Sequence, residues 1–145
     1  MTRSEFMQKV GAQMTNPQWS WVGINHSNKQ VFFSTWEHFN QKEPEKPKDE
    51  YLIFAEFWGN AGRSPGHSDA KIALHLVSKE QYTPCLLFLE ATEKFSFPDA
   101  KPEEEVSIKN VRGSFYFTAE ISEISGKNTP NEMVFARRIE RINIS

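Results

Sequence analysis

Apolar and polar residues alternate over several short segments of the chain, and this period-two pattern predicts a protein rich in β-strands. The first such segment, residues 19–36, contains the turn-forming stretch His-Ser-Asn-Lys at 26–29 and is predicted to be a β-hairpin. The remaining strand-like segments are residues 51–57, 85–91, 106–111, 115–121 and 133–144, with a turn predicted at 126–131.

Two segments instead show the period of an α-helix. Residues 4–14 place Phe6, Val10 and Met14 at i, i+4 and i+8, and Ser4 is the predicted N-cap. A second helix is predicted from about Asp69 to Gln81 with Ser68 as its cap. Its predicted buried face comprises Ile72, Ala73, Leu76 and Val77.

The order of these elements predicts an α+β fold. The strands mostly follow one another along the chain, which favours a curved, mostly antiparallel sheet or a small β-barrel with flanking helices. At 145 residues the chain is predicted to form a single domain over 1–145. The polar, proline-bearing stretch 40–50 is interpreted as an exposed loop rather than a domain boundary.

The composition excludes several classes of protein. Cys85 is the only cysteine, so neither an intrachain disulfide nor a cysteine-based zinc site is available, and its apolar neighbours predict a buried, unreactive thiol. No metal site and no cofactor are predicted, because the histidines lack metal-ligand spacing; they are His26, His38, His67 and His75.

Charge and hydropathy bear on location and partners. The formal net charge of −2 argues against tight, sequence-independent binding of duplex nucleic acid. Residues 126–145, however, carry four Lys and Arg against two Glu, which allows one basic face. The start of the chain resembles no signal peptide, and no apolar run approaches the roughly 20 residues of a membrane helix. A cytoplasmic protein without membrane contact is therefore expected.

Three tryptophans form the first candidate site. Trp19 and Trp21 alternate onto one face of the predicted hairpin, and Trp36 on the partner strand returns near them. Indole rings around a space can stack on a flat heterocycle or hold a cation, and Gly23 among them permits close approach of a ligand. The alternative is that all three tryptophans belong to the hydrophobic core.

The same stretch resembles a known family. Trp-Ser-Trp-Val-Gly-Ile-Asn at 19–25, followed by Val-Phe-Phe-Ser-Thr-Trp-Glu at 31–37, is similar to the opening hairpin of small PUA-like domains such as the EVE and YTH modules. Residues 107–111 and 115–121 are similar to the closing strands of such modules.

The resemblance implies a pocket that takes a flipped, often modified, base between aromatic walls. Trp19, Trp21 and Trp36 are then the walls. The polar edge of the base is read by Ser20, Asn25 or Ser34.

A second candidate is the glycine-rich loop before the second helix, residues 59–67. Arg63, Ser64 and His67 lie where a helix N-terminus favours an anion such as phosphate. The spacing matches neither a Walker A loop nor a dinucleotide fingerprint, so the alternative is an ordinary loop and helix cap.

These patterns together predict a non-enzymatic binding module that recognises a nucleobase or nucleotide, free or within nucleic acid, in an aromatic pocket. The alternative is a protein–protein interaction module or a homodimer, because exposed aromatic residues and a strand edge can also bind a protein. An enzyme is disfavoured, since the adjacent Glu37 and His38 are the only acid–base pair that the sequence suggests.

Overall fold

The computed structural model describes residues 1–14, 22–35, 49–56, 65–91 and 108–144. Side chains are described in these ranges except at residues 65–67, 90, 91 and 108–110. The elements in chain order are α1 (Arg3–Lys9), β1 (Val22–Asn25), β2 (Gln30–Thr35), β3 (Glu50–Ala55), α2 (Pro65–Lys79), β4 (Thr83–Ala91), β5 (Ile108–Val111), β6 (Phe115–Ser125) and β7 (Met133–Asn143). The α+β class predicted from the sequence is confirmed.

The strands form one mixed sheet in the order β1-β2-β4-β6-β7-β3. Strand β5 is not part of this order and pairs with β4. The strand pairs are antiparallel except β2 with β4, which are parallel. The connection between β2 and β4 contains β3 and α2 and is long enough for the crossover that a parallel pair requires. The sheet is open, with β1 and β3 at its two ends, so the described strands do not form the closed barrel that was one of the predicted forms.

The sheet is nevertheless strongly curved. The hydroxyl of Thr35 on β2 donates a hydrogen bond of 2.8 Å to the carbonyl oxygen of Leu52 on β3, although these strands are far apart in the sheet order. The ring of Tyr51 on β3 likewise lies edge-on to Phe88 on β4, at 4.9 Å between centroids. The curvature therefore brings the β3 end of the sheet back toward its middle.

Helix α1 covers the face of the sheet that carries Phe32. The Phe6 ring meets Phe32 and Tyr116 edge-on, at centroid distances of 6.3 and 6.4 Å, and Phe32 lies 5.1 Å from Tyr116. Phe6 and Phe32 are fully buried. Interlocking aromatic rings thus fix the helix on the sheet.

The N-terminal helix is shorter than predicted and is capped by a different residue. Thr2 rather than Ser4 is the N-cap: its hydroxyl accepts from the Glu5 amide, and the Glu5 carboxylate accepts from the Thr2 amide, each at 3.1 Å. The helix ends at Lys9, because Gly11 adopts φ +71°, a left-handed conformation that stops a helix.

Helix α2 begins at Pro65, before the predicted cap Ser68, since proline suits the first helical turn. Ala70 and Ala73 are fully buried, whereas Ile72, predicted on the buried face, is 56% exposed. Ala73 is buried as predicted, and the predicted Leu76 and Val77 are partly buried and pack against the core, so the prediction of the buried face is wrong only at Ile72.

Candidate functional site

Most of the residues predicted to bind a ligand lie outside the described residues. These are Trp19, Ser20, Trp21, Trp36, Arg63 and Ser64, together with Glu37, His38 and positions 40–48 of the charged loop. His67 belongs to α2, but its side chain is outside the described part as well. The tryptophan pocket and the anion-binding loop thus stay predictions.

The two remaining predicted site residues, Asn25 and Ser34, are both buried. The Asn25 amide nitrogen donates to the Val10 carbonyl oxygen, and its amide oxygen accepts from the Asn28 amide, each at 3.0 Å, so this side chain ties the hairpin turn to the N-terminal segment. The Ser34 hydroxyl has no hydrogen-bond partner among the described residues. The close approach at Gly23 is made by Met7, because a Cβ at Gly23 would lie 2.5 Å from its sulfur.

Cys85 is fully buried in β4, as the sequence predicted. The Cys85 sulfur lies 3.8 Å from the Thr83 carbonyl oxygen and 4.0 Å from the Gln30 amide nitrogen. Burial disfavours the charged thiolate and raises the pKa of Cys85 to about 12.

The folded protein is expected to resist thiol modification. At about pH 8 the thiolate fraction falls roughly a thousandfold relative to a free cysteine, and burial blocks access, so the native thiol should react with a chromogenic disulfide at least that much more slowly than the urea-unfolded chain. Because Cys85 is the only cysteine, the absorbance reports it alone. Rapid labelling of the native protein would show that the site is accessible.

A surface that combines arginine and aromatic side chains lies where β6 pairs with β7. Phe115 and Phe117 are two residues apart on β6 and therefore share a face, and their rings meet edge-on at 5.7 Å. The guanidinium carbon of Arg141 lies 4.0 Å from the Phe115 centroid, and that of Arg138 lies 5.2 Å from the Phe117 centroid. These four residues are called here the arginine–aromatic strip.

The rings of the strip are anchored in the core. Phe117 lies edge-on to the buried Phe88 at 5.8 Å, and Phe88 in turn packs on Tyr51. Gly113, at φ +71°, lies against the other ring, since a Cβ there would be 2.5 Å from Cε1 of Phe115. Both phenylalanines are therefore partly buried and held in place, with their outer surfaces toward the arginines.

The two arginines of the strip are exposed and form no ion pair with any described residue. Arg141 donates one hydrogen bond from Nε to the Asn143 amide oxygen at 3.1 Å, which leaves its other N–H groups available. Glu140 lies between them in the sequence but pairs with neither. No described carboxylate thus compensates their positive charge at the sheet surface.

A neighbouring arginine shows the opposite arrangement. Arg137 lies 3.1 Å from Glu50, 3.7 Å from Asp49 and 3.8 Å from Glu120, so three carboxylates surround it. Arg137 is a structural cation, whereas Arg138 and Arg141 can interact with an external group.

A register shift places both arginines of the strip on one face. In a regular strand Arg138 and Arg141 point to opposite sides. Here Thr118 pairs with Glu140 while the adjacent Ala119 pairs with Arg138, which leaves Ile139 without an opposite residue. This bulge turns Arg138 toward the phenylalanines. The sequence shows the basic C-terminal stretch but does not reveal the strip, since strand alternation alone places the two arginines on opposite faces.

Within the described ranges, no cluster of three or more His, Cys, Asp and Glu side chains could hold a metal ion. None of the described helices is long and apolar enough to cross a membrane. Comparisons of the chain with protein-family models, curated proteins and solved structures gave no significant match.

Proposed function

We propose that this chain is a non-enzymatic binding module whose ligand is a nucleotide unit of single-stranded nucleic acid, held at the arginine–aromatic strip. One observation carries the proposal: two exposed arginines, which have no carboxylate partner among the described residues, stack on two partly exposed phenylalanine rings. The proposal keeps the class of ligand expected from the sequence and adds a surface that the sequence did not indicate.

The chemistry of the strip suits such a ligand. A guanidinium stacked on a ring keeps its N–H edges toward solvent, where they can bind phosphate oxygens in a bidentate manner. Its planar face can stack on a base, and partly exposed rings add sequence-tolerant stacking. Modules that bind single strands combine these two elements, cationic groups along the backbone and aromatic platforms under the bases.

The overall charge agrees with a single strand better than with a duplex. The net charge of −2 gives little long-range attraction to the dense phosphate charge of duplex nucleic acid. Arg138 and Arg141, which have no ion-pair partner among the described residues, provide local contacts that do not require a basic protein as a whole. Trp19, Trp21 and Trp36 remain the proposed walls for an extruded base.

The test is a titration of a short fluorescein-labelled single strand, followed by anisotropy. The double variant R138Q/R141Q is expected to bind about tenfold to a hundredfold more weakly, because each charge-assisted contact contributes roughly 1.5–3 kcal/mol before solvent screening. The slope of log K against log salt should also fall by about 0.7 for each lost phosphate contact. F117L should weaken binding while leaving that slope unchanged, because leucine removes the aromatic face and no charge.

Lys127 provides the matched control, since it is exposed in the β6–β7 turn and belongs to no part of the strip. K127Q removes one positive charge, as the single variant R141Q does, and is expected to leave the affinity within about twofold of the wild type. Equal weakening by K127Q and R141Q would mean that only net charge matters, and the proposal would then be rejected.

The alternative function, a protein-interaction module or homodimer, is favoured by one described feature. Ile139, the bulged residue between the two arginines, is 63% exposed. Sedimentation of the free protein distinguishes the two functions. A dimer that I139D dissociates, together with no binding of a single strand, would support the alternative.

A further inference from the structure

A cavity of about 580 Å³ lies between α2 and the strands β3, β6 and β7. Its apolar lining includes Phe54, Leu74, Val77, Ala119, Ile121 and Val134. None of these residues belongs to the arginine–aromatic strip. The volume is within the range of about 300–1,000 Å³ that is usual for small-molecule sites. It is named here the α2 cavity.

The cavity exists because α2 covers only part of the sheet. The helix meets the sheet through the buried Ala70 and Ala73, whereas Leu74 and Val77 on its flank are only partly buried. On the opposite wall, Ile121 is partly buried and Ile124 is 42% exposed. Aliphatic side chains on both walls thus face a space that the described residues do not fill.

One end of the α2 cavity is polar. A second pocket of about 440 Å³ adjoins it, and Lys71 and Glu132 line both. The remaining lining residues of this second pocket are Glu56, Asn128, Thr129 and Pro130. A molecule with an apolar body and a polar head could therefore occupy both parts at once.

The charges at the junction favour a cation. Lys71 Nζ lies 3.3 Å from Glu56 Oε2, so its charge is compensated. Glu120, on the rim, lies 3.8 Å from Arg137. Glu132 has no ion-pair partner among the described residues, and its backbone is fixed by hydrogen bonds to Thr129 and Glu56. Among the described residues of the junction, Glu132 is thus the carboxylate without an ion-pair partner, and its backbone is held in place.

We infer that the α2 cavity binds a small amphiphilic amine, with its apolar body between α2 and β6 and its protonated amino group on the Glu132 carboxylate. An ammonium group donates charge-assisted hydrogen bonds to that carboxylate, whereas a phosphate or carboxylate ligand is repelled by it. The α2 cavity is therefore a site for a different class of ligand from the one proposed for the strip.

The experiment uses three probes with the same naphthyl body, namely naphthylethylamine, naphthylethanol and naphthylacetate. Binding is followed by amide chemical-shift changes in the isotope-labelled protein. The amine is expected to bind most tightly and the acetate most weakly, with shifts centred on Leu74, Val77 and Ile121. E132Q should weaken amine binding about tenfold, the effect of one charge-assisted contact, and leave the alcohol unchanged.

Glu80, exposed at the end of α2 and outside both pockets, supplies the matched control: E80Q should leave the amine affinity unaltered. V77W fills the cavity and should abolish binding of all three probes. Equal affinities for amine and alcohol, or an amine affinity insensitive to E132Q, would overturn the assignment of a cationic ligand. Failure of all three probes to bind, or shifts centred on Phe117 instead, would overturn the site itself.

Discussion

Replacement of Phe32 by alanine is expected to lower the free energy of unfolding by about 3–5 kcal/mol, because the change removes a fully buried ring and leaves a cavity. Phe32 lies on β2, which pairs with both β1 and β4. Its ring also holds Phe6 of α1 and Tyr116 of β6 by edge-on contacts. The loss is therefore expected to loosen α1 as well as the sheet.

Urea denaturation followed by far-UV circular dichroism measures this loss. F32L, which keeps an apolar side chain, should lower the free energy of unfolding by no more than about 1.5–2 kcal/mol. This smaller loss can still be measured if F32A does not fold. The surface control I139A should change the stability by less than about 0.5 kcal/mol, since Ile139 is largely exposed. If F32A lowers the free energy of unfolding no more than I139A does, the packing described for β2 is contradicted.

Replacement of Arg137 by alanine is expected to destabilise the fold by about 2–4 kcal/mol, because it leaves the Glu50 carboxylate buried without its cation. Glu50 is 6% exposed, and its Oε1 lies 3.1 Å from Arg137 Nη2. The expected cost is below that of a fully buried pair, since the Arg137 side chain is 42% exposed and solvent can partly replace it.

The double variant R137A/E50Q tests the mechanism. Because E50Q removes the buried carboxylate that R137A leaves without a cation, the double variant should regain much of the stability lost in R137A, although the ion pair is absent. Thermal or urea unfolding measures this recovery. E120Q removes only an exposed carboxylate at 3.8 Å and is expected to cost less than about 1 kcal/mol. An R137A variant as stable as E120Q would show that Glu50 does not depend on Arg137.

Arg137 also separates the two proposed sites. It precedes Arg138 of the strip on β7, and its ion pair with Glu120 reaches the rim of the α2 cavity. Its three carboxylates compensate its own charge, whereas Arg138 and Arg141 form no ion pair with any described residue. One sheet thus presents a positive aromatic surface and an apolar cavity with a negative junction, which suit ligands of opposite charge.

The sequence by itself determined the kinds of element and most of their positions. Alternation and turn residues correctly predicted the hairpin within 22–35, the strands near 51–57, 85–91 and 133–144, and the buried Cys85. These features are local, because a half-buried strand requires alternating residues and a turn requires particular backbone conformations. The tryptophan pocket lies outside the described residues and stays a prediction.

Helix boundaries depended on competition between neighbouring residues. Ser4 and Ser68 are good N-cap residues, but Thr2 with Glu5 caps the first helix and Pro65 begins the second. Several residues near a helix start can cap it, and the surrounding structure selects one. Ile72 is exposed although it is apolar, because α2 packs on the sheet through Ala70 and Ala73 with Leu76 and Val77 partly buried beside them, and Ile72 lies off this face.

Only the tertiary structure decided what the proposed sites consist of. The parallel pairing of β2 with β4 and the return of β3 toward Thr35 join residues far apart in the chain, which periodicity does not report. The bulge at Ile139 exists only in the pairing of β7 with β6, and it brings Arg138 and Arg141 to one face. The α2 cavity likewise depends on how closely a helix approaches a curved sheet, a distance that packing sets and no local pattern encodes.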